Sequence, residues 1–198
     1  MQHDNPFSEI IQSSLQFFVA QSWKWDTFPL FGSLVMTQQH NRIILGIVYD
    51  VTTGSMDPVR HPFPYQKTEE ELLIEQPQIF EFLQTTFSCV VVGYQEKGHI
   101  FYLRSPQPPK IHSFVNYPDP SLSKQFFHNT QYLHILFGAT PLIGNLDELL
   151  LAILAQQKQK SAPHEDTLKR FIESYSLLTG NDYRRIKLFL QRVQSLLY

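Results

Sequence analysis

The chain has a single cysteine and no long apolar run among its 198 residues. One cysteine excludes an intramolecular disulfide, which is typical of a protein in a reducing compartment. No apolar run approaches the ~18 residues of a membrane-spanning helix, and the first residues lack the basic and apolar regions of a signal peptide. We therefore expect a soluble cytoplasmic protein without a membrane partner. Cys89 lies in an apolar run with no basic neighbour, which predicts a small buried hydrophobe rather than a redox thiol.

The motifs that carry nucleotide, metal or nucleophilic chemistry are also missing. The eight glycines are scattered singly and form neither G-x-x-x-x-G-K-[ST] nor G-x-G-x-x-G, so the sequence has no phosphate-binding loop. The eight histidines form no H-x-H or H-E-x-x-H pair, and there is no G-x-S-x-G nucleophile motif. We therefore expect no metal, no cofactor and no enzymatic activity.

His112 is the best single candidate for a general base, because it alternates with apolar residues in the segment 110–115. The prolines in the segment "SPQPP" that comes just before it interrupt any regular structure. This alternation does not identify a catalytic role, because a purely structural histidine in a half-buried strand would show it as well. We favour the strand interpretation, in which His112 faces the other side of the sheet.

The residues that are present supply a core but no strong charge. The chain is 42% hydrophobic and contains 16 phenylalanines, which is ample material for a packed interior. Its net charge of −2 gives no global attraction to nucleic acid. Residues 1–117 carry 7 Lys and Arg against 11 Asp and Glu, whereas residues 118–198 carry 9 against 7. The two halves of the chain therefore differ in charge.

The first half of the chain predicts six β-strands. Short runs rich in β-branched and aromatic residues alternate with turn signals, and the turn "EKG" joins two of them as a hairpin. Gly46 within one run marks a bulge or a barrel corner. Six strands suit a small closed antiparallel barrel, because closure removes exposed edges. The predicted strands are 9–22 (one long or bent strand), 31–38, 41–52, 88–95, 99–104 and 110–115.

Helical patterns make up the rest. Thr68 can cap a helical insertion at about 67–87, which Pro77 divides. After residue 117 the patterns are helical throughout, with Asn145 as an N-cap and Gly180 as a C-cap. We predict an α+β fold: a barrel domain over 1–117, followed by an all-α domain over 118–198. The last helix should bury the apolar positions Tyr183, Ile186, Leu190, Val193 and Leu197.

The most basic part of the sequence lies in that last helix. A solvated helix face is the ordinary interpretation of such cations. The functional interpretation is a docking surface for an acidic partner or for phosphates, with weak and salt-sensitive binding to nucleic acid. Arg60 adds a further contact in the polar loop 52–66. The candidate interaction surface consists of Arg60, Arg184, Arg185, Lys187 and Arg192.

Four segments of the chain together resemble the HAS-barrel, the domain shared by HerA-type DNA translocases and rotary ATP synthase subunits. They are "FGSLVM", "ILGIVYDVTTGSMDP", "CVVVGYQEKGHIFYLR" and "PPKIHSFV". With "QYLHILFGAT" and the helices after it, the chain is similar to stand-alone bacterial proteins that join such a barrel to a helical tail. The translocases follow the barrel with a RecA-like motor that carries Walker motifs, and here a helical segment takes its place.

The resemblance implies a non-enzymatic assembly or adaptor module. In the motor proteins the barrel crowns a ring and packs neighbouring subunits, so the implied partner is a protein: an ATPase ring, or further copies in a homo-oligomer. A second hypothesis is an accessory factor of a DNA translocase or other nucleic-acid machinery, which would use the basic C-terminal helix. A third is a small-ligand binder or enzyme with a site between the barrel and the helices.

Overall fold

The computed structural model describes residues 5–57, 63–160 and 165–197. Six strands close into an antiparallel barrel in the order β2-β1-β7-β3-β4-β5, and pairing between β2 and β5 completes the ring. The predicted α+β fold with a six-stranded barrel is confirmed. The strands are β1 Ser8–Ser13, β2 Phe17–Ser22, β3 Leu34–Gln39, β4 Arg42–Ser55, β5 Leu83–Glu96, β6 His99–Phe101 and β7 Phe114–Asn116.

Two members of the barrel differ from the prediction. The segment 9–22 forms two strands rather than one, because Ser14 closes a tight turn: its backbone N–H donates to Phe17 O at 2.8 Å, and its hydroxyl accepts from Phe17 N at 3.0 Å. The segment 99–104 contributes only the short β6, which pairs with β5 outside the ring. The hairpin between β5 and β6 is confirmed, and its turn residues Lys97 and Gly98 both have positive φ.

The barrel interior is apolar, as strand alternation requires. The register of β4 against β5 shifts between Leu45 and Gly46, so the bulge predicted at Gly46 is confirmed. Cys89 is fully buried, and burial raises the pKa of its thiol well above the ordinary value. The prediction of a buried hydrophobe at this position is confirmed. The inward-facing cluster consists of Ile10, Phe18, Ala20, Val35, Ile44, Val48, Phe87, Cys89, Val91 and Val115.

The helical insertion is shorter than predicted. The described helices there are α1, Glu69–Glu75, and α2, Gln78–Glu81. Thr68 caps α1 in a complete capping box with Glu71, as its sequence indicates. Residues 83–87 belong to β5 instead of a helix, because they pair with the far end of β4 from Val51 to Ser55. Backbone pairing at long range overrides the local helical pattern at this point.

The C-terminal part is helical as predicted. The predicted N-cap at Asn145 is confirmed, because its side chain accepts from Glu148 N at 3.3 Å, and Gly180 ends α7 with φ 65°. The helices are α3 Pro120–His128, α4 Tyr132–Gly138, α5 Thr140–Ile143, α6 Leu146–Lys160, α7 Glu165–Leu178 and α8 Tyr183–Leu197.

These helices cover one side of the barrel. The larger buried cluster joins residues of α3, α4, α6, α7 and α8 to outward-facing residues of β3, β4 and β5, among them Leu34, Leu45 and Val90. In the described chain, this cluster contains no residue of β1, β2 or β7. The predicted boundary at 117–118 falls in the connection between β7 and α3. The division into two domains stays a prediction.

Candidate functional site

Arg185 lies at the interface between α8 and α6 rather than on a free surface. Its Nε and Nη2 donate to the two carboxylate oxygens of Asp147 at 2.9 and 2.7 Å. The Tyr175 hydroxyl donates to the same carboxylate at 3.1 Å, and the guanidinium lies over the Tyr175 ring. The paired carboxylate raises the pKa of Arg185, and burial raises the pKa of Tyr175 to about 12. This cluster holds the start of α8 against the first turn of α6.

Arg192 makes a second bond between the same two helices. Its Nη1 and Nη2 donate to the Glu148 carboxylate at 2.6 and 2.9 Å. These hydrogen bonds lower the pKa of Glu148. Glu148 also stands in the first turn of α6, where the helix dipole favours an anion. Two cations of the predicted interaction surface therefore serve to pack α8.

The remaining predicted cations have different surroundings. Arg184 and Lys187 are exposed and make no ion pair with any residue in the described part of the chain. Arg60 lies outside the described residues. The structure therefore leaves two neighbouring free cations on α8 rather than a broad basic patch, and their role as an interaction surface stays a prediction.

The buried face of α8 matches the predicted one in part. Val193 is buried and Ile186 packs against the core as predicted, whereas Tyr183 is 76% exposed and Phe189 is buried instead. The series Ile186, Phe189, Val193 and Leu196 has the same spacing of three and four residues as the predicted series. The two series share Ile186 and Val193, so the pattern alone locates the buried side of α8 but does not show that Phe189 is buried and Tyr183 is not.

His112 is not a strand residue, which corrects the prediction. It precedes β7 in a turn, with φ 66°, and its backbone N–H donates to Ile10 O at 2.9 Å. Its side chain is 79% exposed, and Nδ1 lies 2.5 Å from Glu9 Oε1 on the outer surface of the barrel. The sequence alternation failed because the backbone turns between Lys110 and Ser113, whose N–H donates back to Lys110 O. His112 is thus an exposed partner of Glu9.

The barrel side opposite the helices exposes a group of large apolar side chains. Trp23, just after β2, and Phe114 on β7 are each 53% exposed and pack edge to face with ring centroids 5.4 Å apart. Ile11 and Ile111 are also exposed on the neighbouring strand and turn. We call the outward side chains of Ile11, Trp23, Ile111 and Phe114 the open face. Sequence analysis missed it, because it appears only once the helices are placed on β3, β4 and β5.

A cavity of about 360 Å³ opens at the end of the barrel where β3 meets β4. We call it the mouth cavity. Arg42 Nε lies 3.1 Å from Glu96 Oε1, and the Arg42 guanidinium lies 5.7 Å from the centroid of the Tyr94 ring. Arg42 Nε and Gln39 Oε1 are buried without an aligned hydrogen bond in the described chain. The cavity is lined by Gln39, His40, Asn41, Arg42, Ile44, Glu96, Ser105 and Gln107.

A second cavity, among the helices, is far smaller. It holds about 10 Å³ and is lined in part by Phe127, Leu154 and Phe171. That volume is room for about one water molecule. The larger of these two cavities thus lies at the barrel mouth, and the third hypothesis, which placed a site between the barrel and the helices, stays a prediction.

Comparisons with known proteins give no match: neither protein-family models nor curated proteins align with this chain. The HAS-barrel relationship therefore stays a resemblance carried by the sequence segments. In the residues that the structure describes, no three His, Cys, Asp or Glu side chains group as a metal site. No described helix has both the length and the apolar character to span a membrane.

Proposed function

We propose that the chain is a non-enzymatic assembly module that binds a second protein chain through the open face of its barrel. The first occupant that we propose is a second copy of the chain itself. The resemblance to HAS-barrels supports this choice, because barrels of that family pack against neighbouring subunits in a ring.

The observation that carries the proposal is the exposed pair of Trp23 and Phe114. Large contiguous apolar side chains on a protein surface mark interaction sites more often than isolated ones do. Tryptophan is enriched among the residues that dominate binding energy at interfaces, and aromatic rings bury a large area on contact. Ile11 on β1, which pairs with β7, and Ile111 in the turn before β7 are exposed as well.

The charges at the open face suit contact between identical copies. Glu9 and His112 lie together there and carry groups of opposite polarity. A two-fold contact uses the same patch twice, so a patch that combines an apolar centre with both an acceptor and a donor can complement itself. The helices α3, α4, α6, α7 and α8 pack on β3, β4 and β5 instead, and Trp23 and Phe114 remain exposed.

Sedimentation velocity of the purified chain over a range of concentrations tests the proposal. We expect a concentration-dependent dimer or larger oligomer, and a monomer for the double variant Trp23→Gln with Phe114→Gln. The matched control is Ile74→Gln with Leu177→Gln, which removes two apolar side chains that are even more exposed but lie on α1 and α7. Thermal unfolding of each variant checks that it folds.

Two outcomes contradict self-association through the open face. One is a wild-type chain that stays monomeric up to about 100 μM, a concentration at which even a weak specific contact forms. The other is an oligomer that the open-face variant and the control variant disturb equally. The non-enzymatic part of the proposal has its own test: protein-dependent turnover of ATP or GTP that survives rigorous purification would contradict it.

A further inference from the structure

We propose that the mouth cavity binds a small neutral molecule through a planar amide edge, such as the –CO–NH– edge of a lactam or a nucleobase. This site is independent of the open face, because it lies at the end of the barrel rather than on the outer surface of β1, β2 and β7. The cavity volume of about 360 Å³ falls at the lower end of the range for small-molecule sites.

The recognition pair consists of Gln39 and Arg42, which are direct partners across the β3–β4 ladder. Side chains at such paired positions lie on the same face of the sheet, with Cβ atoms about 5 Å apart. Arg42 offers only donors, and the Gln39 carboxamide offers an acceptor. Together they present a donor beside an acceptor, which is the complement of a group that carries an acceptor next to an N–H.

The hydrogen-bonding state of Gln39 points to a missing partner. Gln39 Oε1 is buried and has no hydrogen bond in the described chain, whereas Arg42 Nε has the Glu96 carboxylate 3.1 Å away. A buried polar atom left unpaired is costly, so such atoms usually have a partner in the functional state. The terminal torsion of a glutamine is broad, so the carboxamide can turn Oε1 toward the cavity that its own side chain lines.

The charges of the cavity favour a neutral ligand over an ion. The Arg42 guanidinium and the Glu96 carboxylate lie 3.1 Å apart and largely compensate each other. Arg42 would attract an anion but Glu96 would repel it, and the reverse holds for a cation. An ion of either sign would therefore lose as much electrostatic attraction to one residue as it gains from the other. Ile44 adds an apolar wall, which suits the flat face of a small ring.

The test uses two probes that differ by one methyl group, uridine and 3-methyluridine, with the uniformly ¹⁵N-labelled full chain. Uridine carries an N–H between carbonyl groups, and methylation removes that donor. We expect uridine to shift the amide resonances of residues around the cavity, such as Asn41, Glu96 and Gln107. We expect 3-methyluridine to bind about tenfold more weakly or worse, because Gln39 Oε1 would again be left without a donor.

A pair of variants separates the site from general effects. Gln39→Met keeps the length of the side chain and removes the carboxamide, and we expect it to weaken uridine binding about tenfold. The matched control is Gln38→Met, on the adjacent and exposed position of the same strand. Equal binding of the two probes to the wild-type chain, equal effects of the two variants, or no shift up to about 5 mM uridine would overturn the proposal. The comparison of the two probes needs no variant to fold.

Discussion

The substitution Gly46→Val tests whether the bulge in β4 is a packing device. A Cβ atom at this position would lie 2.8 Å from Phe18 Cε1 and 3.1 Å from Cys89 Cβ, and both of these residues are fully buried. Inserting methyl groups into a packed interior costs about 1–3 kcal/mol. Valine adds two methyl groups beyond this Cβ, so we expect a loss of about 2–3 kcal/mol for valine and about 1 kcal/mol for alanine.

Gly54 provides the matched control, because it lies in the same strand and a Cβ there would meet nothing within 4 Å. Replacing it with valine should leave stability unchanged or raise it by up to about 1 kcal/mol through the lower entropy of the unfolded chain. Guanidinium denaturation monitored by tryptophan fluorescence measures both effects. Phe18→Leu should relieve part of the strain in Gly46→Val, since the two side chains share one space. Equal denaturation midpoints for the Gly46 and Gly54 variants would refute this reasoning.

Three further predictions concern the ion pairs of α6 and α8, the half-buried Tyr102, and the exposed cations of α8. Asp147→Ala should destabilise the chain by about 1–2 kcal/mol, because it leaves a partly buried guanidinium of α8 without its carboxylate. Glu148→Ala, at the exposed ion pair with Arg192, should lower stability less than Asp147→Ala does in the same denaturation assay. Burial raises the pKa of Tyr102 to about 12, against about 10 in the unfolded chain. The free energy of unfolding should therefore keep its full value below pH ~10 and fall as the pH rises from ~10 to ~12. This fall should be steeper in the wild-type chain than in Tyr102→Phe. Binding of a fluorescent DNA oligonucleotide should be weak, should fall steeply with salt, and should be lost in the double variant Arg184→Ala with Lys187→Ala; tight, salt-resistant binding would contradict the absence of a broad basic patch.

The local features of the fold could be read from the sequence because they depend on neighbouring residues. The N-caps at Thr68 and Asn145 each accept from a backbone N–H three residues further along the chain. The hairpin turn at Lys97 and Gly98 and the bulge at Gly46 follow from residue types within single segments. Six strands in such a chain also favour closure of the barrel, since closure leaves no exposed edge.

The tertiary structure alone decided which residues are available for function. Arg185 and Arg192 bind carboxylates 38 and 44 residues away, so no local pattern could show that these cations are engaged while Arg184 and Lys187 are free. Residues 83–87 became a strand because β4 pairs with them across the insertion. The mouth cavity joins side chains from three separated segments, and the open face lies outside the cluster in which the C-terminal helices pack on β3, β4 and β5. Long-range contacts of this kind depend on which surfaces bury each other, and a sequence pattern records only that a surface is apolar, not which other surface will cover it.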